Sequence, residues 1–377
     1  VIERADVPLA ESNPLTTEVK AALADAMMYP EGTPMQAIPE IYSGVAGLGG
    51  RDTRPGHFVA AAKNMLRGAS AKRFFVIGVK HKDSLDITDD PDVRPAKAYS
   101  MRGHSIGGFG SVTTNKVIAS VASDLFGLCA QAFPKYGSEK KGLPTNYYLT
   151  LAAEPIRLHA ELNVVDFVAI QDANAFLVGD PLEGLESGGV IYLQSALAAD
   201  QVWASLPTSA QQTIVEHNLH LFVLDAQRIA RESSSRADLQ VRMQGIVLLG
   251  AFLRLTPFRE RAGLDEERLF AALEKTLVKY FGKRGGRVVQ DNLEAARRGF
   301  REVTEVRPPA AMKAEGKKKP AWQPVPMAGG DVLPANFCEH VIGNYARGRE
   351  PELEADEYVA RSLMPPSSAA KRSFRNL

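Results

Sequence analysis

Short runs of apolar and β-branched residues alternate with amphipathic helical stretches along most of the chain, and this alternation limits the fold more than any other feature. Residues 1 to about 92 read as a strand at Val1–Arg4, a helix at Leu15–Met27, a strand near Ala37–Tyr42, a helix at Pro55–Leu66 with proline in its first turn, and a strand at Arg73–Val79. The acidic, proline-bearing stretch from Asp83 to Pro95 reads as the crossing into a second unit. That unit is expected to hold a strand before Gly103, a helix over 111–128, and strands near 130–135, 145–151, 166–170, 189–194 and 219–225. Three helices are expected to close it, Ala237–Leu255, Asp265–Phe281 and Val288–Glu302, with acids at Asp265-Glu-Glu and a C-cap glycine at Gly282 framing the middle one. Such alternation predicts mostly parallel sheets covered on both faces. The expected fold is therefore α/β: two three-layer α/β/α units, residues 1–92 and 93–306, then a Pro/Lys-rich linker and a short helical tail over 307–377.

Where a strand should hand over to a helix, the chain reads Met101-Arg-Gly-His-Ser-Ile-Gly-Gly-Phe-Gly-Ser-Val-Thr-Thr-Asn-Lys116. Gly107, Gly108 and Gly110 permit close backbone approach, so successive N–H groups can converge on a phosphate at the start of the following helix. Ser111, Thr113 and Thr114 add hydroxyls, and Lys116 adds a point charge. An ordinary glycine-rich turn feeding a capped helix is the alternative, and neither G-x-G-x-x-G nor G-K-[ST] is present. A second segment, Ala130-Gln-Ala-Phe-Pro-Lys-Tyr-Gly-Ser-Glu-Lys-Lys-Gly142, follows the helix. A doubly wound unit would return it to the sheet beside the glycine loop, so that Lys140 and Lys141 face the same anion. Two solvated lysines in a hairpin are the plainer reading of that pair. His104 is expected to cap the loop by a hydrogen bond rather than to touch phosphate.

Composition excludes several classes. With 377 residues, 45% apolar and 24% charged, the chain can bury a substantial core, and its formal net charge of +1 argues against a nucleic-acid footprint. The basic run Lys313-Ala-Glu-Gly-Lys-Lys-Lys-Pro320 lies in a proline-rich stretch and reads as a linker. No apolar run reaches the roughly 18–20 residues of a membrane span. Two cysteines, Cys129 and Cys338, make no disulfide framework and cannot supply the about four thiolates of an iron–sulfur cluster. The cytoplasm is the expected compartment. Cys338 and His340 have no second ligand pair nearby in sequence, and His217 and His220 straddle an expected helix-to-strand boundary. Ser195 lacks a G-x-S-x-G context, which excludes an α/β-hydrolase.

Taken together, the two glycine-bearing segments resemble the gamma domain of the 2-oxoacid:ferredoxin oxidoreductases, the family that includes pyruvate:ferredoxin oxidoreductase. Its loop of G-x-G-T-V-x-x-N-K type precedes a F-P-x-Y-G-x-E-[KR]-[KR]-G segment, matched here by Phe133 to Gly142. Asp166-Phe-Val-Ala-Ile-Gln-Asp-Ala-Asn, Glu186-Ser-Gly-Gly-Val-Ile-Tyr-Leu-Gln-Ser195, Leu219 to Arg231 and Met243 to Leu253 follow in family order. Upstream, Val1-Ile-Glu-Arg and Gly47-Leu-Gly-Gly-Arg-Asp-Thr-Arg-Pro-Gly56 resemble the end of the transketolase C-terminal-like domain that precedes it. The likeness covers Val1 to about Val306. It departs from the family loop at Phe109 and Thr113, and the lysine pair aligns in either of two frames.

The resemblance implies that 1–92 is the C-terminal part of the transketolase-like domain, 93–306 the gamma domain, and 307–377 a link towards a ferredoxin-like domain. It implies a part of an oxidoreductase that decarboxylates a 2-oxoacid, passes electrons to ferredoxin or flavodoxin and transfers the acyl group to coenzyme A. The coenzyme A site would comprise Gly107, Gly108, Gly110, Ser111, Thr113, Thr114, Asn115, Lys116, Tyr136, Lys140 and Lys141. Thiamine diphosphate, magnesium and [4Fe-4S] clusters would sit on other domains or subunits of an assembly that forms a dimer. No catalytic acid, base, nucleophile or metal ligand is expected within these residues. Two other readings stay open: a non-catalytic structural domain of the complex, and a member acting on 2-oxoglutarate or oxalate. The chain starts without methionine and is expected to be the middle segment of a longer polypeptide, with a naturally short subunit as the alternative.

Overall fold

The structure, a computed structural model, describes residues 1–4, 12–29, 37–48, 53–106, 111–136, 144–157, 161–234 and 240–309. They fall into two compact units that divide after Val93.

In the first unit, β1 (Ile2–Arg4), α1 (Pro14–Met28), β2 (Ser43–Ala46), α2 (Pro55–Met65) and β3 (Phe74–Val76) alternate, and the three strands form a parallel sheet in the order β1-β2-β3. The second strand begins at Ser43, not in the expected 37–42 stretch, because Pro39 offers no N–H to a ladder. The Phe75 ring covers Gly44 in β2, where a Cβ would lie 2.5 Å from it. Val45 and Val76 face one side of this sheet, and Ala46 and Phe75 the other. Both helices open on proline, and a carboxylate from elsewhere in the unit satisfies each first turn. Glu3 accepts from the N–H groups of Leu15 and Thr16 at 3.1 and 2.8 Å, and Asp90 accepts from Gly56 N–H at 2.7 Å.

The second unit runs β4 (Tyr99–Ile106), α3 (Ser111–Phe126), β5 (Cys129–Tyr136), β6 (Pro144–Ala152), β7 (Val165–Ile170), α4 (Ala175–Val178) and β8 (Leu185–Gln194). It continues through α5 (Ala199–Ser205), α6 (Thr208–Glu216), β9 (His220–Leu224), α7 (Ala226–Ser233), α8 (Gln240–Leu255), α9 (Phe258–Arg261), α10 (Glu266–Phe281), α11 (Gly286–Glu302) and β10 (Thr304–Val306). Among the described residues these strands form a seven-stranded sheet, ordered β10-β9-β8-β7-β4-β6-β5. β4, β7, β8 and β9 are mutually parallel, while β6 runs antiparallel to both β4 and β5, and β10 antiparallel to β9.

Two expectations change. The segment after α3 does not return beside β4: β5 takes the sheet edge and β6 fills the gap between them. An antiparallel pair needs only a short connection, and residues 137–143 supply it, whereas a parallel return would need a full crossover. The closing helices are also not the end of the unit, since β10 returns to the sheet beside β9. Short helices α5, α6 and α7 further cover stretches that the sequence left unassigned.

Side chains alternate across this sheet. Met101, Tyr147, Leu149, Phe167 and Tyr192 pack with α3 and α8, while Tyr148, Val168, Ile191 and Leu221 pack with Val202 and Trp203 of α5 and Ile214 of α6. Helix α8 is buried almost all round, because α3, α7 and α11 all pack against it. Contact with α11 is made through glycines: a Cβ on Gly250 would lie 1.9 Å from the Ala296 carbonyl oxygen, and one on Gly299 2.1 Å from that of Val247. Among the described residues no helix is long and apolar enough to cross a membrane.

The α8–α11 contact gives a stability test. Gly250→Ala or Gly299→Ala forces two helix backbones apart and is expected to cost roughly 2–3 kcal/mol, read as a lower unfolding midpoint in denaturant. Gly286→Ala, where a Cβ meets nothing within 4 Å, is expected to leave the midpoint unchanged.

Candidate functional site

All parallel strands of the second unit end at one edge of its sheet, where ligands bind in open α/β folds. The registers fix which segments meet there. Ile106, the last residue of β4, pairs with Pro144, the first of β6, and Tyr136, the last of β5, pairs with Thr145. Gly107, Gly108, Gly110, Lys140 and Lys141 lie outside the described residues, as do the side chains of Ser111, Thr113, Thr114 and Tyr136. The ends to which these loops attach are nevertheless brought to one place: residues 107–110 join Ile106 to Ser111 of α3, and residues 137–143 join Tyr136 to Pro144.

The two described side chains of α3 proposed for the site diverge. Lys116 is exposed, whereas Asn115 is 1% exposed and its Nδ2 stands 3.7 Å from where a Cβ on Gly103 would be. Asn115 therefore packs the start of the helix onto β4, while Lys116 stays at the surface.

Beneath this edge, on the opposite face of β4, lies a polar network around His104, which the sequence singled out only as a cap of the glycine loop. Arg102 is buried, and its guanidinium spans backbone carbonyls of two segments that cross that face. Nη2 donates to Pro181 O at 3.0 Å and to Glu183 O, and Nη1 donates to Leu162 O at 3.5 Å. Its Nε donates to Nε2 of His104 at 3.2 Å. Burial pulls the guanidinium below its ordinary pKa, opposed by Tyr148, Glu183, Asp180 and Glu161 nearby. Asn146 is the cross-strand partner of His104 on β6. Glu161 accepts from Lys135 at 2.7 Å and from the Tyr148 hydroxyl at 3.1 Å. The sequence signal for this network was a cation within a strand otherwise destined for the core, two residues before a histidine on the same face.

Burial, and then the adjacent Arg102 charge, push the His104 pKa down to about 3. The imidazole is neutral at physiological pH and accepts a hydrogen bond from Arg102, so it offers no charge to a phosphate. The expected cap of the glycine loop falls on residues outside the described ones; the described partner of the ring is Arg102. His159, Cys338 and His340 lie outside the described residues, and no group of three or more His, Cys, Asp or Glu side chains that could hold a metal occurs among the described ones.

Comparison with known proteins places residues 100–302 in a match to the family described as "Pyruvate ferredoxin/flavodoxin oxidoreductase". The chain is 28% identical over 299 residues to a pyruvate-flavodoxin oxidoreductase of Trichormus variabilis, covering 78% of this chain and 24% of the relative. It is 27% identical over 373 residues to that of Rhodospirillum rubrum, covering 98% of this chain and 30% of the relative. The chain thus spans about a quarter of the length of such relatives. Among solved structures, a pyruvate oxidoreductase subunit from Thermotoga maritima aligns with a TM-score of 0.42 at 24% identity, over 56% of this chain and 99% of that one.

The depressed pKa has a consequence for acid stability. Between about pH 6.5 and pH 3 the unfolded chain binds a proton at His104 that the native chain refuses. The contribution is therefore intact above the unfolded value and is lost as pH falls through this window. The His104 ring resonances are expected to stay constant from about pH 8 to pH 5 in an NMR titration; a midpoint near the usual histidine value would contradict the network.

Proposed function

The chain belongs to the pyruvate ferredoxin/flavodoxin oxidoreductase family, and we propose that it supplies the coenzyme A-binding segment of a 2-oxoacid:ferredoxin or flavodoxin oxidoreductase. The reaction would be that of pyruvate, coenzyme A and oxidised acceptor going to acetyl-coenzyme A, carbon dioxide and reduced acceptor, or its reverse. Residues 93–306 would be the gamma domain, 1–92 the end of the preceding transketolase-like domain, and 307–377 the link towards a ferredoxin-like domain.

The observation that carries this reading is the register that sets Ile106 beside Pro144 and Tyr136 beside Thr145. It roots the glycine segment and the lysine segment at one point of the sheet edge, so both can close on one ligand. Coenzyme A carries a pyrophosphate and a 3′-phosphate. Backbone N–H groups of Gly107, Gly108 and Gly110, the hydroxyls of Ser111, Thr113 and Thr114, and the start of the 16-residue helix α3 would take one phosphate group. Lys116 on one side, with Lys140 and Lys141 and the Tyr136 hydroxyl on the other, would hold the remaining charge. The thiol arm would then reach a neighbouring domain, where thiamine diphosphate with magnesium would supply decarboxylation and iron–sulfur clusters would carry electrons onward. With two cysteines in all, this chain alone cannot ligate a four-thiolate cluster. Its own residues bind and orient; they move no proton in the chemistry.

Lys140→Ala combined with Lys141→Ala in the complete enzyme is expected to raise KM for coenzyme A roughly tenfold or more, the loss of two charge-assisted contacts. Decarboxylation of the 2-oxoacid without coenzyme A is expected to change by less than about twofold. Unchanged dependence on coenzyme A concentration would overturn the assignment. Equilibrium binding of coenzyme A to the assembled enzyme should weaken steadily as salt rises; binding indifferent to salt would exclude a phosphate site.

A further inference from the structure

We infer that the end of helix α10 and the turn after it form the surface on which the electron-acceptor protein, a ferredoxin or flavodoxin, docks: Lys275, Lys283 and Arg284 meet its acidic side, and Val278 and Tyr280 seat between them. The inference rests on the proposed oxidoreductase reading and adds to it the place where the acceptor binds.

Between Lys275 and Arg287 the chain carries five cations and no acid, although over the whole sequence 45 basic residues are matched by 44 acids. Helix α10 turns Leu269, Phe270, Leu273 and Leu277 into the core, which leaves positions 275, 278 and 279 on its outer side, and the 3₁₀ turn Gly282–Arg284 adds two more exposed cations. Two of the five cations are neutralised from within the unit: Lys279 holds Asp124 at 3.1 Å, and Arg287 holds Asp291 at 3.0 Å. Glu274, the nearest acid in sequence, accepts from Gln290 at 2.8 Å. Lys275, Lys283 and Arg284 are exposed and make no hydrogen bond or ion pair among the described residues. Val278 and Tyr280 stand 52% and 41% exposed along the same stretch. Three unpaired cations with two apolar side chains do not suit a permanent subunit contact, whose buried centre is apolar and poor in lysine. They suit a small, transient contact in which charge steers the encounter and salt loosens it. In the proposed reaction the acceptor is the protein substrate that must arrive and leave in each turnover. A thiolate-ligated cluster or a flavin phosphate makes the redox end of such an acceptor negative, which supplies the complementary charge. Docking here also leaves the carboxyl edge of the sheet unobstructed. Helix α3 starts at that edge, and Asp124, which Lys279 holds, lies in its last turn, about 20 Å along the helix.

The test follows electrons from the 2-oxoacid through the assembled enzyme to a flavodoxin, to a ferredoxin and to a small viologen dye. Lys275→Glu combined with Lys283→Glu and Arg284→Glu reverses three exposed charges and breaks no printed contact within the unit. It is expected to lower kcat/KM for the preferred protein acceptor roughly tenfold or more at low salt, and to come within about twofold of wild type near 0.5 M salt. Dye reduction and KM for coenzyme A are expected to stay within about twofold of wild type. Val278→Ser combined with Tyr280→Ser is expected to lower the same kcat/KM about threefold at every salt concentration, because it removes apolar contact and no charge. Unchanged kcat/KM for the protein acceptor in either variant would overturn the inference. A loss in the charge variant that persists at high salt, or one shared equally by the dye, would do the same by pointing to a damaged fold. If the wild-type enzyme reduces the protein acceptor and the charge variant does so equally well, only the docking surface fails. If the wild-type enzyme reduces the dye but neither protein, the proposed reaction fails first and the docking surface with it.

Discussion

Strand β4 is paired on both sides, in parallel with β7 and antiparallel with β6, and the second unit is organised around that double pairing. Parallel pairing sets its carboxyl end level with those of β7, β8 and β9. Antiparallel pairing sets the same end against the start of β6. A strand held on both edges cannot slip by a single residue without sending Met101 and Arg102 to each other's faces, and that exchange would put a guanidinium into the hydrocarbon around α8. The register is thus enforced by the chemical contrast between adjacent side chains.

That contrast explains how the two faces came to serve different ends. Over Met101, Gly103 and Tyr147 the sheet is covered by α3 and α8, and Asn115 closes the helix onto it. Over Arg102 the cover consists of loop backbone, whose carbonyls need donors. Arg102 meets this need better than lysine would, since its planar fork presents several N–H groups in fixed directions.

Much of the architecture was legible in the sequence. The strands at 165–170, 185–194 and 220–224 announced themselves by short apolar runs, and the long helices by amphipathic spacing and by end residues such as Asp265 and Gly282. Their pairing order was not legible, because β-branched content says that a segment is a strand and nothing about its neighbour. The placement of β6 between β4 and β5 depends on the competition between a hairpin and a crossover, which is settled only when the whole sheet assembles. At the site, glycines and lysines were conspicuous because they break the local pattern. Arg102 and His104 stand two residues apart and His104 was marked as a cap of the loop, but the carbonyls of Leu162, Pro181 and Glu183 that hold Arg102 lie 60 or more residues away and carry no sequence signal. Asn115 shows the converse: motif membership drew attention to it, while burial gives it a packing duty.

The first unit treats its helix starts in a distinct way. Glu3 and Asp90 each reach from a distant point of the chain to the first turn of a helix and occupy the very N–H groups an anionic ligand would need. A tethered carboxylate competes at an effective concentration that a dissolved phosphate does not match. The starts of α1 and α2 are in this sense already liganded by the protein itself, and the fold carries its own competitors for anions at these two places.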